Sequence, residues 1–259
     1  MSDAQETLVN TALQDGVFHI ELNRPDAGNA ANTLMANQLL DAVRRARTTD
    51  GVRVVLISAA GRAFMAGGDL HILAGEPEAL KELLGMVNQT MLLLAECEVP
   101  VICAVQGLAA GGGLGLALAG DLLVAEDGAR FTVGAPAIGL SPDGGVTWQL
   151  ARWVGMRKAM EMSLLCTVVD AQAALACGLV NEVAPKGELM DLAWKRARQL
   201  AAGAQQALIQ TKKLLRESAR NDLPSQLAYE GRAFEHCMAT PDFAEGLAAL
   251  REKRKPLFA

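Results

Sequence analysis

The sequence predicts an α/β fold with parallel strands, followed by a helical C-terminal extension. Strand-like and helix-like periodicities alternate from the N-terminal side onward, the signature of a parallel sheet covered by helices. Val99 to Asp121, VPVICAVQGLAAGGGLGLALAGD, runs from an apolar strand through a glycine triplet into a short apolar helix. Beyond Gly155 the pattern turns almost wholly helical.

Taken in order, Gly16–Leu22 alternates as a strand, with His19 a half-buried residue on it. Asn23-Arg24-Pro25-Asp26 is a turn whose arginine is either a solvated charge or a phosphate contact. Asn32 or Thr33 caps a helix with Met35, Leu39, Val43 and Ala46 on its apolar face, ended by Asp50-Gly51. Val52–Ser58 is the next strand. Ala59–Leu70, AAGRAFMAGGDL, places glycines right after it, with Asp69 a candidate cap. Leu80, Leu84, Val87, Met91 and Leu94 form a helical stripe, read as core and not as a binding face.

Val101–Val105 fits a strand buried on both faces, and Leu114–Ala119 a buried helix. The helix start leaves unpaired N–H groups where its dipole favours negative charge, so an oxyanion would form there. A membrane span and a plain buried turn are the competing readings. Six glycines within Val99–Asp121 and the lack of a basic flank make a poor span. Leu122–Ala125 and Arg130–Val133 read as a strand pair. The loop Gly134–Gly145 carries one carboxylate, Asp143, which would serve as a turn residue or as a cap for Val146–Trp153. Met156–Leu165 and Asp170–Cys177 are short helices and Gly178–Val183 a last strand. Gly187–Leu200, Ala204–Ser218, Leu223–Met238 and Asp242–Lys253 are successive helices. The expected division is a core over residues 1–202 and a helical oligomerisation region over 203–259.

Composition narrows the function classes. At 259 residues, 51% hydrophobic and 20% charged, the chain has ample material for a folded core. A net charge of -5 supplies no basic field for nucleic acid, so an anionic ligand must be met by local groups. MSDAQETLVN lacks the basic and apolar regions of a secretory signal. Five scattered cysteines without a CxxC spacing suggest reduced thiols and a cytoplasmic location. Three dispersed histidines make a zinc site or a Ser-His-Asp triad improbable, and no metal or separate cofactor is expected.

Leu22-Asn23-Arg24-Pro25, Ala63–Leu70 and Gln106–Gly113 together resemble the crotonase (enoyl-CoA hydratase/isomerase) superfamily. Ala129-Arg130-Phe131, Asp170-Ala171 with Gly178-Leu179-Val180, and Glu245-Gly246 with Glu252-Lys253-Arg254 extend the likeness along the chain. The resemblance implies a spiral of ββα units, a homotrimer or homohexamer, and acyl-CoA thioester substrates. It implies that the amides of Gly68 and Gly112 grip the thioester carbonyl as it becomes an enolate. It also gives Arg24 a contact with CoA phosphates, and gives Ala66, Asp69 and Leu70 main-chain contacts in the adenine pocket. The basic residue often found after the turn is missing (Asp26-Ala27-Gly28), which would leave Arg24 exposed as the sole local cation.

The departures from the pattern are informative. Hydratases of the family place glutamates where this chain has Gly115 and Ala135. The carboxylate that remains, Asp143, stands where isomerase-type members carry an acid. One carboxylate suffices to move a proton between two carbons, whereas hydration needs proton handling at two atoms. The sequence therefore reads first as an enoyl-CoA isomerase. An enoyl-CoA hydratase and a non-catalytic acyl-CoA-binding protein are the alternatives. Leu150–Glu161 also resembles the halobenzoyl-CoA dehalogenase branch, but the tryptophan used there falls at Ala135.

Overall fold

Asp15 and Gly16, both with positive φ (52° and 75°), make a two-residue turn that folds the first two strands back on each other. The structure is a computed structural model and describes residues 6–258. That hairpin joins β1 (Val9–Gln14) to β2 (Val17–Leu22), after which α1 (Thr33–Thr48) leads to β3 (Val54–Ala59). Helices α2 (Leu70–Leu73) and α3 (Pro77–Ala95) precede β4 (Val101–Val105) and β5 (Leu108–Ala110). Then come α4 (Gly112–Leu118), β6 (Leu122–Glu126), β7 (Arg130–Thr132) and α5 (Val146–Leu164). β8 (Val169–Asp170), α6 (Ala171–Ala176) and β9 (Glu182–Ala184) follow. The chain closes with α7 (Leu189–Ala201), α8 (Gln205–Glu217), α9 (Leu223–Met238) and α10 (Pro241–Glu252).

The main sheet has the order β1-β2-β3-β4-β6-β9, and every pairing beyond the first hairpin is parallel. Alternate residues of β3 face opposite ways. Val55 and Ile57 join the larger core with α1 and α4, while Val54 and Leu56 pack with Ala193 and Ala197 of α7. Layers on both faces explain why VVLI and VICAV are apolar throughout, and why the one polar residue that follows, Ser58, is buried against His19 Nε2 at 2.7 Å.

Several expectations change here. β1 is an additional strand at the sheet edge, and its mostly exposed residues show no apolar alternation. The expected pairing of Leu122–Ala125 with Arg130–Val133 does not form. β6 bonds to β4 and β9, whereas β7 joins β5 and β8 in a separate three-stranded sheet. Gly178–Val180 is a turn, with the Leu179 and Val180 amides donating to Ala174 O, and the last strand starts only at Glu182. The buried face of α3 is Leu83, Met86, Thr90 and Leu94, so Val87 and Met91 lie beside it, only partly covered. Gly155 (φ 75°, ψ 159°) breaks α5 where the sequence had placed a boundary between two helices.

Asp121, the end of the glycine-rich stretch, ties α8 to this frame. Its carboxylate accepts from Val101 N at 2.8 Å and pairs with Lys212 at 2.6 Å and Arg216 at 2.7 Å. Burial pulls the Lys212 ammonium below its ordinary pKa, and the attraction of Asp121 opposes that pull. Helices α9 and α10 instead leave Leu227, Phe234, Met238 and Leu250 exposed. Among the described residues no helix is long and apolar enough to cross a membrane.

Candidate active site

Residues 64–69 are stitched between two other backbone segments. The Phe64 and Met65 amides donate to Gln106 O and Leu108 O, and Ala110 N returns a bond to Met65 O. On the other side Ala66 N donates to Gly28 O, Ala31 N to Gly67 O and Asp69 N to Ala31 O. The close approach explains the glycines. A Cβ on Gly113 would lie 2.1 Å from Met65 O, and one on Gly107 would lie 1.9 Å from Arg62 O.

Two amides are left over by this stitching. Because Gly67 O and Asp69 N both bond to Ala31, the intervening Gly68 N–H faces away from that ladder. Gly112 is the first residue of α4, where N–H groups have no intrahelical acceptor. Among the described residues neither amide has a hydrogen-bond partner. Open space surrounds the position a Gly112 Cβ would take, and Gly112 also lines a small apolar cavity with Met35, Met65, Val87, Met91 and Leu116. Val87 and Met91, read from sequence as core, pack against the core and also line this cavity.

Asp143 enters from a third segment. The next residue, Gly144, abuts Gly112: a Cβ on it would lie 3.8 Å from Gly112 Cα and 3.4 Å from Val87 Cγ1. Asp143 does not cap the following helix through its side chain. The residue preceding α5 is Gly145, with no side-chain cap, and only the Asp143 carbonyl accepts from Val146 N. Burial pushes the Asp143 carboxyl above the ordinary aspartate value, and a hydrogen bond from its own backbone partly offsets this. Gly115 faces the same loop. A Cβ there would lie 2.6 Å from Gly144 O and 3.3 Å from Val146 Cγ2. Ala135, at the other expected acid position, is half-buried at the start of a 3-10 turn.

Arg24 differs from the expected exposed lone cation. Its Nη1 donates to Asp69 Oδ2 at 2.5 Å and to Ala30 O at 2.8 Å, leaving its side chain 24% exposed. Asp69 is buried, which drives its pKa up. The hydrogen bond from Arg24, the His71 amide and the arginine's charge outweigh that and hold the carboxyl below its ordinary value. Asp69 Oδ1 also accepts from His71 N at 2.8 Å, at the start of α2, where Leu70 is the first residue. Ala66 is exposed.

Asn29 was not singled out in the sequence. Fully buried, with φ 56°, it accepts from Arg24 N and donates to Ala60 O and Ala63 O, bracing both ends of the turn. Its position just after Gly28, where left-handed backbone favours asparagine, was the available signal. Among the described residues no group of His, Cys, Asp and Glu could hold a metal ion.

The enoyl-CoA hydratase/isomerase family pattern matches residues 12–259. The chain is 35% identical over 251 residues to the 1,2-epoxyphenylacetyl-CoA isomerase of Escherichia coli, covering 95% of this chain and 96% of that one. It is also 35% identical over 249 residues to the 2,3-dehydroadipyl-CoA hydratase of the same organism, with 95% and 96% covered. Among solved structures, an enoyl-CoA hydratase from Bacillus anthracis superposes with a TM-score of 0.93 at 30% identity, covering 97% of this chain and 99% of that one.

Proposed function

The chain belongs to the enoyl-CoA hydratase/isomerase family, and on that premise we propose that it shifts a carbon–carbon double bond of an enoyl-CoA thioester. The thioester oxygen sits against the amides of Gly68 and Gly112, with Arg24, Ala66, Asp69 and Leu70 around the CoA portion. Asp143 as carboxylate takes a proton from C2 of a 3-enoyl-CoA. The electron pair moves toward the carbonyl, giving a dienolate whose negative oxygen the two amides stabilise. The same carboxyl then returns a proton at C4, leaving the double bond between C2 and C3. A raised carboxyl pKa suits this reversible transfer.

The observation that carries the reading is the occupation of the space beside residue 115. The Gly144 carbonyl stands 2.6 Å from where a Cβ at 115 would lie, so an acid at 115 would have to displace the loop bearing Asp143. The hydratase relative keeps hydration as the second reading. Rates on 3-enoyl-CoA and 2-enoyl-CoA decide between them. Isomerisation should far exceed hydration, and Gly115→Glu should lower isomerisation without creating a hydratase. Robust hydration by the unaltered protein would favour the second reading.

We also propose a homotrimer or homohexamer. Leu227, Phe234 and Leu250 on α9 and α10 are exposed in the single chain, apolar side chains that a subunit contact would cover. Light scattering at micromolar concentration should give a trimeric or hexameric mass, and a monomeric mass would overturn this.

A further inference from the structure

Arg24 and Asp69 lie 45 positions apart in sequence, yet they close a ring around the Gly68 peptide. The guanidinium Nη1 bonds simultaneously to the Asp69 carboxylate and to Ala30 O. Ala31, the next residue, exchanges two backbone bonds with Gly67 O and Asp69 N, and those bonds flank Gly68 on both sides. One cation thus fastens Ala30 to Asp69, beside the Ala31 N–H bond to Gly67 O, the carbonyl that shares its peptide plane with the Gly68 N–H. Asn29 holds the Arg24 backbone in place, and the Asp69 carboxylate is simultaneously engaged by the His71 amide. The pair is mostly covered, with side-chain exposures of 24% and 9%, so it is shielded more than a surface ion pair.

We propose that the Arg24–Asp69 pair is a positioning clamp for the Gly68 amide, acting on turnover through the orientation of that donor. This rests on the assignment of Gly68 as an oxyanion donor. Neither residue touches the reacting atoms, and a small tilt of a preorganised donor is costly because its contribution depends on fixed geometry. A phosphate-binding arginine behaves differently. Its loss weakens substrate binding equally in the ground and transition states, raising KM with kcat unchanged.

The two roles separate on a truncated substrate. An enoyl thioester of pantetheine lacks the nucleotide and its phosphates but keeps the reacting carbonyl. The clamp predicts that Arg24→Ala lowers kcat at least about tenfold on both the CoA and the pantetheine thioester. Arg24→Lys, which keeps a donor and the charge, should recover part of that loss. Asp69→Asn should resemble Arg24→Ala. A loss confined to KM on the CoA thioester, with pantetheine turnover unchanged, would overturn the clamp.

Hydrogen exchange over residues 66–70 provides a readout without turnover. It should accelerate in Arg24→Ala and Asp69→Asn while the β3 and β4 amides keep their protection. Unchanged exchange there would also overturn the proposal. Inactivity of the unaltered enzyme on every thioester would instead count against the functional reading, leaving the exchange result to decide the clamp.

Discussion

Asp143→Asn is expected to lower turnover by roughly two to four orders of magnitude, the usual contribution of a general base. The amide keeps the side chain's shape but cannot accept and return a proton. Substrate affinity should change little, because the Gly68 and Gly112 amides are untouched. The same substitution should raise the melting temperature at neutral pH. Burial lifts the folded-state pKa of Asp143, so its protonated form is favoured in the folded protein. That contribution is present at low pH and is lost as pH rises through the raised pKa. Asparagine avoids the loss, and its advantage should vanish when the pH falls below the ordinary aspartate range. In the unaltered enzyme kcat/KM should fall on the acid side with a midpoint above an ordinary aspartate pKa. Steady-state kinetics across pH and a melting series check both, and an Asp143→Asn enzyme of nearly full activity would place the proton carrier elsewhere.

Gly112→Pro tests the other half of the chemistry. Gly112 opens α4, where proline is tolerated because the N–H is not needed by the helix. Nothing lies within 4 Å of where its Cβ would stand. The substitution therefore deletes one donor with room for its Cβ, and loss of one such donor should lower kcat by roughly 10²–10³. Gly112→Ala retains the N–H and should keep far more activity. Circular dichroism on both variants separates a lost donor from a lost fold. Equal activity of the alanine and proline variants would show that the amide carries no charge in the transition state.

How much of this was legible in the sequence depended on the distance between the cooperating residues. VVLI and VICAV announced themselves because strands covered on both faces are apolar at nearly every position. The helices from Gln205 to Glu252 were placed within a few residues by their periodicity and by breakers such as Gly203 and Pro241. β5 and β8, at three and two residues, are too short to show a period at all. At the site, local pattern left the glycines and Asp143 ambiguous, and only the family likeness gave them roles. The pairing of Arg24 with Asp69 and the fit of Gly144 against Gly115 are long-range contacts between backbone turns. Nothing in either local sequence encodes them. The buried positions Leu83, Met86 and Thr90 lie one residue before Leu84, Val87 and Met91, which leaves Val87 and Met91 between the core and the cavity.

In the proposed shuttle one carboxyl carries a proton from C2 to C4 with no second acid. Its most direct test follows a 3-enoyl-CoA in D₂O by NMR with the purified enzyme. With such a shuttle 2-enoyl-CoA accumulates without 3-hydroxyacyl-CoA, and some protium lost from C2 reappears at C4. Accumulation of 3-hydroxyacyl-CoA as the main product would contradict it.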